Sequence, residues 1–304
     1  MTHLGTRSLT QRGAMSLEGP DPRRLGNEPA DRIAEHYRTE ARMRRRILTA
    51  APAERSGLYA RAYEAIIGRA ETSPPEAQEA EAIRRRRQVA GQVKALSHYL
   101  KASSRVLEIG PGDGLLSMAL CQRVAAVTAV DVRDGLSHVP DLPANLELVV
   151  SDVRAAPVEP RAYDLAITDQ LLEHLHPEDV EGLLAGAWTA LRPGGLLIVL
   201  TPNRLLGPHD ISRFYDHDEP RGLHLHEFSF AELRTVLQLA GFVRVRPMMG
   251  GGRYWIRSSA ALVGGVEATL EALPTALRRR LVRAPAVRAA LNSMLGVRAL
   301  AWKA

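Results

Sequence analysis

From residue 104 onward, short β-rich runs alternate with helical stretches: "SRVLEIG", "LLSMALCQRV", "VTAVDV", "LELVVSD", "YDLAITD", "EDVEGLLAGAWTALRPGG" and "LLIVLTPN". Apolar runs of this length, separated by helices, fit strands that are covered on both faces. The alternation therefore predicts a doubly wound α/β domain around a mostly parallel sheet. Ligands of such sheets bind at the carboxyl ends of the strands, near the point where strand order reverses. At 304 residues and 45% hydrophobic content, the chain can bury that core and still carry helical extensions.

Directly after the first of these runs, "RVLEIGPGDG" sets Gly110, Gly112 and Gly114 at every second position. Such a loop suits a ligand that comes close to the backbone. Two ligands fit that demand, a dinucleotide pyrophosphate and the amino-acid end of S-adenosylmethionine. The dinucleotide pattern G-x-G-x-x-G needs a third glycine where Leu115 stands. Glu108, two residues before the first glycine, would repel a pyrophosphate but attract an ammonium group, directly or through water. "AVTAVDV" then ends near Asp131, about twenty residues beyond the loop, where a carboxylate can hydrogen-bond both ribose hydroxyls. NAD enzymes share that last feature, so it does not discriminate.

Glu108-Ile109-Gly110-Pro111-Gly112-Asp113-Gly114 resembles motif I of the class I S-adenosylmethionine-dependent methyltransferases. "YDLAITDQLLEHLHPEDV" resembles the "LEHL" segment of the branch that includes quinone-biosynthesis and natural-product methyltransferases. "LRPGGLLIVLTPN" resembles the helix, turn and fifth strand that follow there, with Gly194 and Gly195 ending the helix. These matches run through residues 104–246 in order. The resemblance implies a Rossmann-like seven-stranded sheet whose last two strands form an antiparallel hairpin, consistent with the pair read at 242–258. It also implies S-adenosylmethionine as cofactor and S-adenosylhomocysteine as product. Glu108, Gly110, Gly112 and Gly114 would face the carboxypropyl and ribose portions, and Asp131 with Val132 the ribose. Asp152 would take the adenine amino group, with Val153 supplying backbone or apolar contact. Asp169 and Gln170 would lie beside the methionine part, and Glu173-His174-Leu175 would open the next helical segment.

Domain organisation follows the texture of the chain. Residues 1–26, rich in Gly, Pro, Ser and Arg without periodicity, are expected to be disordered. Residues 27–103, starting from Asn27 as a helix N-cap, hold three amphipathic helices expected to cap the cofactor, with Tyr37, Tyr59 and Tyr63 as candidate contacts. The run Arg84–Arg87 covers every face of the third helix, so part of it must be solvated. The methyltransferase domain is assigned to 104–258, and 259–304 is read as a helical extension. Within the domain, residues 202–228 are Pro- and Gly-containing, polar, and placed where a substrate lid is expected.

Four of the ten histidines fall in that segment. His209, His217, His224 and His226 are candidate general bases for a hydroxyl acceptor, since histidine accepts a proton near neutral pH. His224 and His226 alternate along an extended stretch and are expected to face the same way. His174 is read as either a base or a packed histidine. No recognised metal-ligand spacing appears, so no metal is expected. The reaction expected is O-methylation of a small-molecule or lipid- or glycan-linked acceptor. Transfer to nitrogen or carbon, RNA included, and a non-catalytic subunit that kept the fold are the alternatives.

Charge is distributed unevenly: residues 104–246 carry a net −8, although the whole chain carries +6. The acidic core suits a cationic cofactor. The basic flanks suggest peripheral contact of the tail with a membrane, while nucleic acid is not expected as a partner. One cysteine, Cys121, allows no internal disulfide, and it is read as a packing residue in a cytoplasmic protein. Oligomeric state is left open.

Overall fold

The computed structural model describes residues 19–304 except 27, 72–74, 137–138, 140, 155 and 252–253, with residues 65–71 described by their backbone. Three helices lead: α1 (Ala30–Thr49), α2 (Pro52–Glu71) and α3 (Pro75–Leu96). The alternating core follows as β1 (Arg105–Ile109), α4 (Leu115–Cys121), β2 (Ala126–Asp131), β3 (Leu146–Val150), β4 (Tyr163–Asp169), α5 (Pro177–Ala190) and β5 (Leu191–Thr201). Then come α6 (Phe230–Leu239), β6 (Arg244–Gly251), β7 (Tyr254–Arg257), α7 (Ala260–Ala272), α8 (Thr275–Arg283), α9 (Pro285–Leu295) and β8 (Val297–Trp302).

Among the described residues the strands form one eight-stranded sheet in the order β3-β2-β1-β4-β5-β8-β6-β7. The first five pair in parallel, and β8, β6 and β7 are joined by antiparallel pairing. Side chains of the central strands alternate between two hydrophobic clusters, the pattern of a sheet covered on both sides. One face packs Val106, Leu165, Ile167, Ile198 and Leu300 against Val89, Val93 and Leu96 of α3 and Leu116 and Leu120 of α4. The other packs Leu107, Ala166, Leu197 and Val199 against residues of α2, α5, α6, α7 and α9. Cys121 is buried in the first cluster. Among the described residues no helix is long and apolar enough to cross a membrane.

Three sequence expectations need correction. The sheet has eight strands rather than seven, and the strand that completes it comes from the tail read as helical. Val297–Trp302 inserts between β5 and β6, because its alternating Val297, Ala299 and Ala301 fill one cluster while Leu300 fills the other. Gly194 and Gly195 lie inside β5 rather than at a helix end. Helix α5 stops at Ala190, and the pairing with β4 slips between Tyr163 and Leu165, where Gly194 takes φ 75°. Finally, residues 19–26 of the segment read as disordered are docked. Asp21 caps a short helical turn at Pro22–Arg24 and its N–H donates to the Phe214 carbonyl, while Arg24 pairs with Asp216. The rest of that segment, and Asn27, lie outside the described residues.

Leu300 has no exposed surface. Leu300→Ala is expected to cost about 3 kcal/mol through lost burial and an uncollapsed cavity, read as a lower urea midpoint at unchanged slope. A cost below about 1 kcal/mol, the range of well-tolerated core changes, would mean that β8 contributes little to the sheet.

Candidate active site at the carboxyl edge of the sheet

Strand register aligns the expected cofactor residues in one row. Asp131 pairs with Val150, and Gly110 directly follows Ile109, which pairs with Val130 on one side and Thr168 on the other. Asp169 pairs with Leu200, and Leu200 pairs with Arg298. Asp131, Gly110, Asp169, Leu200 and Arg298 therefore occupy successive strands at one level, on the α3 face of the sheet. The loop glycines 110, 112 and 114 all have positive φ (75°, 59° and 67°), a region that favours glycine. A Cβ on Gly112 would also come 2.8 Å from the Tyr63 hydroxyl of α2.

The acidic residues differ in availability. Glu108 is withdrawn beneath the loop, where it accepts from Ser117, and burial pushes its carboxyl up to about 7. Asp169 is the less buried of the two carboxylates. Burial also raises the Asp169 pKa, opposed by a 2.7 Å hydrogen bond from Gln92 and by the charge of Arg85. Asp131 is raised by burial too, and its carboxylate accepts from the Arg133 N–H at 3.2 Å. Val132 is half-buried beside it. Asp152 is gripped by Arg154 and Ser56, which hold its pKa down to about 2. An adenine amino group would have to share or displace the Ser56 contact. Val153 is buried, and Gln170 is exposed with φ 54°.

The N-terminal helices reach this edge through one of the candidate tyrosines and through an arginine of the run read only as partly solvated. Arg85 makes two hydrogen bonds to Asp113, at 2.8 and 3.2 Å. Of the candidate tyrosines, only Tyr63 touches the glycine loop. Tyr59 donates to Asp179 at 2.5 Å inside a buried network with Arg55, and Tyr37 packs on Tyr215. These two tie the cap to α5 and to the 202–228 segment.

In that segment the key side chain is Glu227, which the sequence reading omitted. Its carboxylate is buried and bridges two rings, at 3.0 Å from His209 Nδ1 and 2.6 Å from His224 Nδ1. Burial opposes its charge, but the two histidines outweigh that and hold it near 2. His224 is also buried, which disfavours its charge, yet Glu227 and Glu173 raise its pKa above the ordinary 6.5. His174 meets His224 edge-on at 4.7 Å, bonds the Leu223 carbonyl through Nδ1, and is driven down to about 3 by burial. His174, His209 and His224 line a cavity of about 230 Å³ with Glu40, Asp210 and Phe214 among the other walls.

The remaining two candidates stand apart. His217 contacts Tyr37 and stacks on Tyr215, and its pKa is lowered by burial. His226 lies edge-on to Phe228 at 4.6 Å. The chain around it is irregular rather than extended, so His224 and His226 engage different partners instead of sharing one face. The fold also assembles a group that linear spacing hid: ligand atoms of Glu173, His174 and His224 lie within 4.8 Å of one another and could hold a metal ion.

Buried polar atoms without a partner gather at this same end: Gln92 Oε1, Thr168 Oγ1, Glu173 Oε1, Arg133 Nη1 and Arg298 Nη1. Leaving such atoms unpaired costs about 1–3 kcal/mol each, so they mark where ligand or water is expected to bond. Together with the glycine loop and the acidic row, they fit S-adenosylmethionine, which offers a ribose diol, a sulfonium and an amino-acid end but no phosphate.

Sheet order, loop and row define a class I methyltransferase, the class that uses S-adenosylmethionine as methyl donor. A family model described as a methyltransferase domain matches residues 82–246, more than half of the chain. The chain belongs to this methyltransferase family and is an enzyme of it. It is 28% identical over 168 residues to a ubiquinone biosynthesis O-methyltransferase from Paraburkholderia phymatum, a match spanning 50% of this chain and 68% of that one. To its namesake from Xanthomonas euvesicatoria it is 32% identical over 157 residues, spanning 46% of this chain and 63% of the relative. Among solved structures, a Burkholderia thailandensis 1,6-didemethyltoxoflavin-N1-methyltransferase aligns with TM-score 0.49 and 18% identity, covering 84% of this chain and 91% of that one.

Two predictions follow from the charges and the loop. Glu227, depressed from an ordinary 4.5, contributes stability above that value and loses it as pH falls toward about 2. His224, raised, contributes below its ordinary 6.5 and loses that contribution as pH rises through its higher folded value. The melting-temperature gap between wild type and Glu227→Gln should therefore be widest between about pH 4.5 and 6.5 and narrow on both sides. A gap independent of pH would rule out the ion pair. Gly112→Ala, forced into positive φ at a cost of about 1–3 kcal/mol and against Tyr63, should weaken S-adenosylhomocysteine binding at least tenfold by calorimetry; unchanged affinity would place the ligand elsewhere.

Proposed function

We propose that this methyltransferase acts on a hydroxyl oxygen of a small-molecule or lipid- or glycan-linked acceptor seated in the cavity of about 230 Å³, with His224 as the base. The observation that carries the reading is the Glu227 bridge. With Nδ1 of both His209 and His224 turned to one buried carboxylate, Nε2 is the nitrogen left on each ring for a ligand. Of the five histidines singled out from the sequence, His174 is too strongly desolvated to take a proton, and His217 and His226 lie outside the cavity wall. His209 is the second possibility within the same pair. The names of the ubiquinone-biosynthesis relatives, which are O-methyltransferases, support oxygen as the acceptor atom.

Bound S-adenosylmethionine supplies an already activated methyl group, so this chain's residues have to orient the acceptor, exclude water and remove a proton. Asp131 and the loop glycines would hold the ribose side, and Asp169 the amino-acid end. Neutral His224 Nε2 would accept the hydroxyl proton, and Glu227 would stabilise the imidazolium that results. Asp152 and Val153 remain the proposed adenine contacts. The docked tail also bears on partners: Arg279 and Arg283 pair with Asp216 and Asp218 of the 202–228 segment, so this basic stretch is proposed to brace the acceptor side rather than to bind a membrane.

The first test is formation of S-adenosylhomocysteine by purified protein with a panel of simple catechols, phenols, carboxylic acids and amines. Turnover confined to hydroxyl compounds is expected, whereas turnover on amines alone would refute oxygen transfer. On a responding acceptor, His224→Ala should lower kcat by about 10²–10⁴-fold while S-adenosylhomocysteine still binds. The base must be neutral, so kcat/KM should rise with pH through a value above 6.5, and Glu227→Gln should move that inflection downward. A second reading rests on the Glu173, His174 and His224 group, in which a divalent cation would ionise the hydroxyl instead. Activity that survives a chelator favours the base, and activity lost to it and restored by Mg²⁺ or Zn²⁺ favours the metal.

A further inference from the structure

Arg298 stands at the far end of the carboxyl-edge row, on the strand that comes last in the chain and outside the residues 82–246 matched by the family model. Its alignment with Asp169 is fixed by backbone pairing, since both residues pair with Leu200 from opposite sides. Across two interstrand steps their backbones lie about 10 Å apart, and paired side chains on neighbouring strands point to one face of the sheet. The Arg298 guanidinium acts on Asp169 through its charge. Its Nη1 is buried with no hydrogen-bond partner. Nη1 and Nη2 lie so close over Gly296 that a Cβ there would meet them at 3.2 and 3.4 Å. On the other side of Asp169, Gln92 donates Nε2 to the carboxylate at 2.7 Å and leaves its own Oε1 buried without a partner.

Around one carboxylate there are thus a vacant cationic donor and a vacant acceptor. An α-amino acid head group has the complementary pair: its carboxylate needs a donor and its ammonium needs acceptors. Of the two arginines whose charge acts on Asp169, Arg85 is held by Asp113 through two hydrogen bonds and its Nη1 already stands 3.8 Å from the Asp169 carboxylate. Arg298 keeps a free N–H, and an arginine stays charged at any physiological pH. We propose that Arg298 binds the carboxylate of the cofactor's amino-acid end, while Asp169 and Gln92 Oε1 take its ammonium group. The assignment rests on the cofactor reading above and adds a binding residue from a part of the fold outside the matched domain. Running the ligand from Asp131 through Gly110 to Arg298 also fits the order of the row, with the ribose at one end and the carboxylate at the other.

Titration calorimetry with four probes tests it without any acceptor: S-adenosylhomocysteine, S-adenosylmethionine, its decarboxylated form, and 5′-methylthioadenosine, which lacks the amino-acid head. Wild type should prefer S-adenosylmethionine over the decarboxylated compound at least tenfold. Arg298→Gln should weaken S-adenosylhomocysteine about 10- to 100-fold, the strength of a charge-assisted hydrogen bond, and leave methylthioadenosine unchanged. Arg298→Lys, which keeps the charge but loses the fork, should fall between the two. Unchanged methylthioadenosine binding certifies that a variant's adenosyl pocket is folded. If Arg298→Gln binds S-adenosylhomocysteine like wild type, or weakens both ligands equally, the assignment is overturned while the cofactor reading stands. If wild type binds none of the adenosyl compounds, both fail together.

Discussion

Strand β8 joins β5 through six residue pairs and β6 through four. Without it, two apolar strands would each present an open edge, and unpaired backbone groups there would be costly or would recruit another chain. Because β8 runs antiparallel to β5, its first residues lie at the carboxyl edge, where the site is. The insertion therefore both closes the sheet and brings Arg298 level with Asp169. The helices depend on the same sheet: α3 and α4 cover one face, and α2, α5, α6, α7 and α9 help cover the other. Arg85, Gln92 and Tyr63 reach the carboxyl edge only because α2 and α3 are held against those covered faces.

Electrostatics divide the site into two halves. On the cofactor side, burial raises Glu108, Asp131 and Asp169, and their charges are supported by Ser117, backbone N–H groups and Gln92. A cationic ligand that enters such a place relieves a desolvated carboxylate at the moment it binds. On the acceptor side, the two-histidine grip on Glu227 works in the opposite sense and keeps that carboxylate ionised, with a raised pKa at His224. Glu173, pushed up to about 7 by burial, stands between the two halves and bonds Thr201 at 2.9 Å. One fold thereby provides desolvated carboxylates on the cofactor side beside one whose charge two histidines hold.

Much of the first half was legible in linear order. Gly110, Gly112 and Gly114 announce a tight turn, and Asp131 and Asp169 close apolar runs, because strand ends and loop conformations are local properties of a few residues. Asp152 follows the third strand as the sequence suggested, but its hold by Arg154 and Ser56 could not be read, since Ser56 belongs to a helix far upstream. The histidines of 202–228 were conspicuous by composition alone. Choosing among them required Glu227, a carboxylate that looks ordinary in the sequence and becomes decisive when burial leaves it two imidazoles for partners. The stretch "HLHE" carries no local sign that His224 and Glu227 meet in an irregular turn.

By itself the sequence determined the alternation of strands and helices, the parallel sheet, the glycine loop and the acidic strand ends, because periodicity and backbone preference act over short stretches of chain. The tertiary structure alone decided that the tail supplies the eighth strand and that α2 and α3 put Tyr63, Arg85 and Gln92 at the loop. It also brought Glu227 between its histidines and placed Arg298 in line with Asp169. Those decisions rest on pairing edges and burying surfaces between segments far apart in the chain, and a local pattern carries no record of which distant partner will cover it.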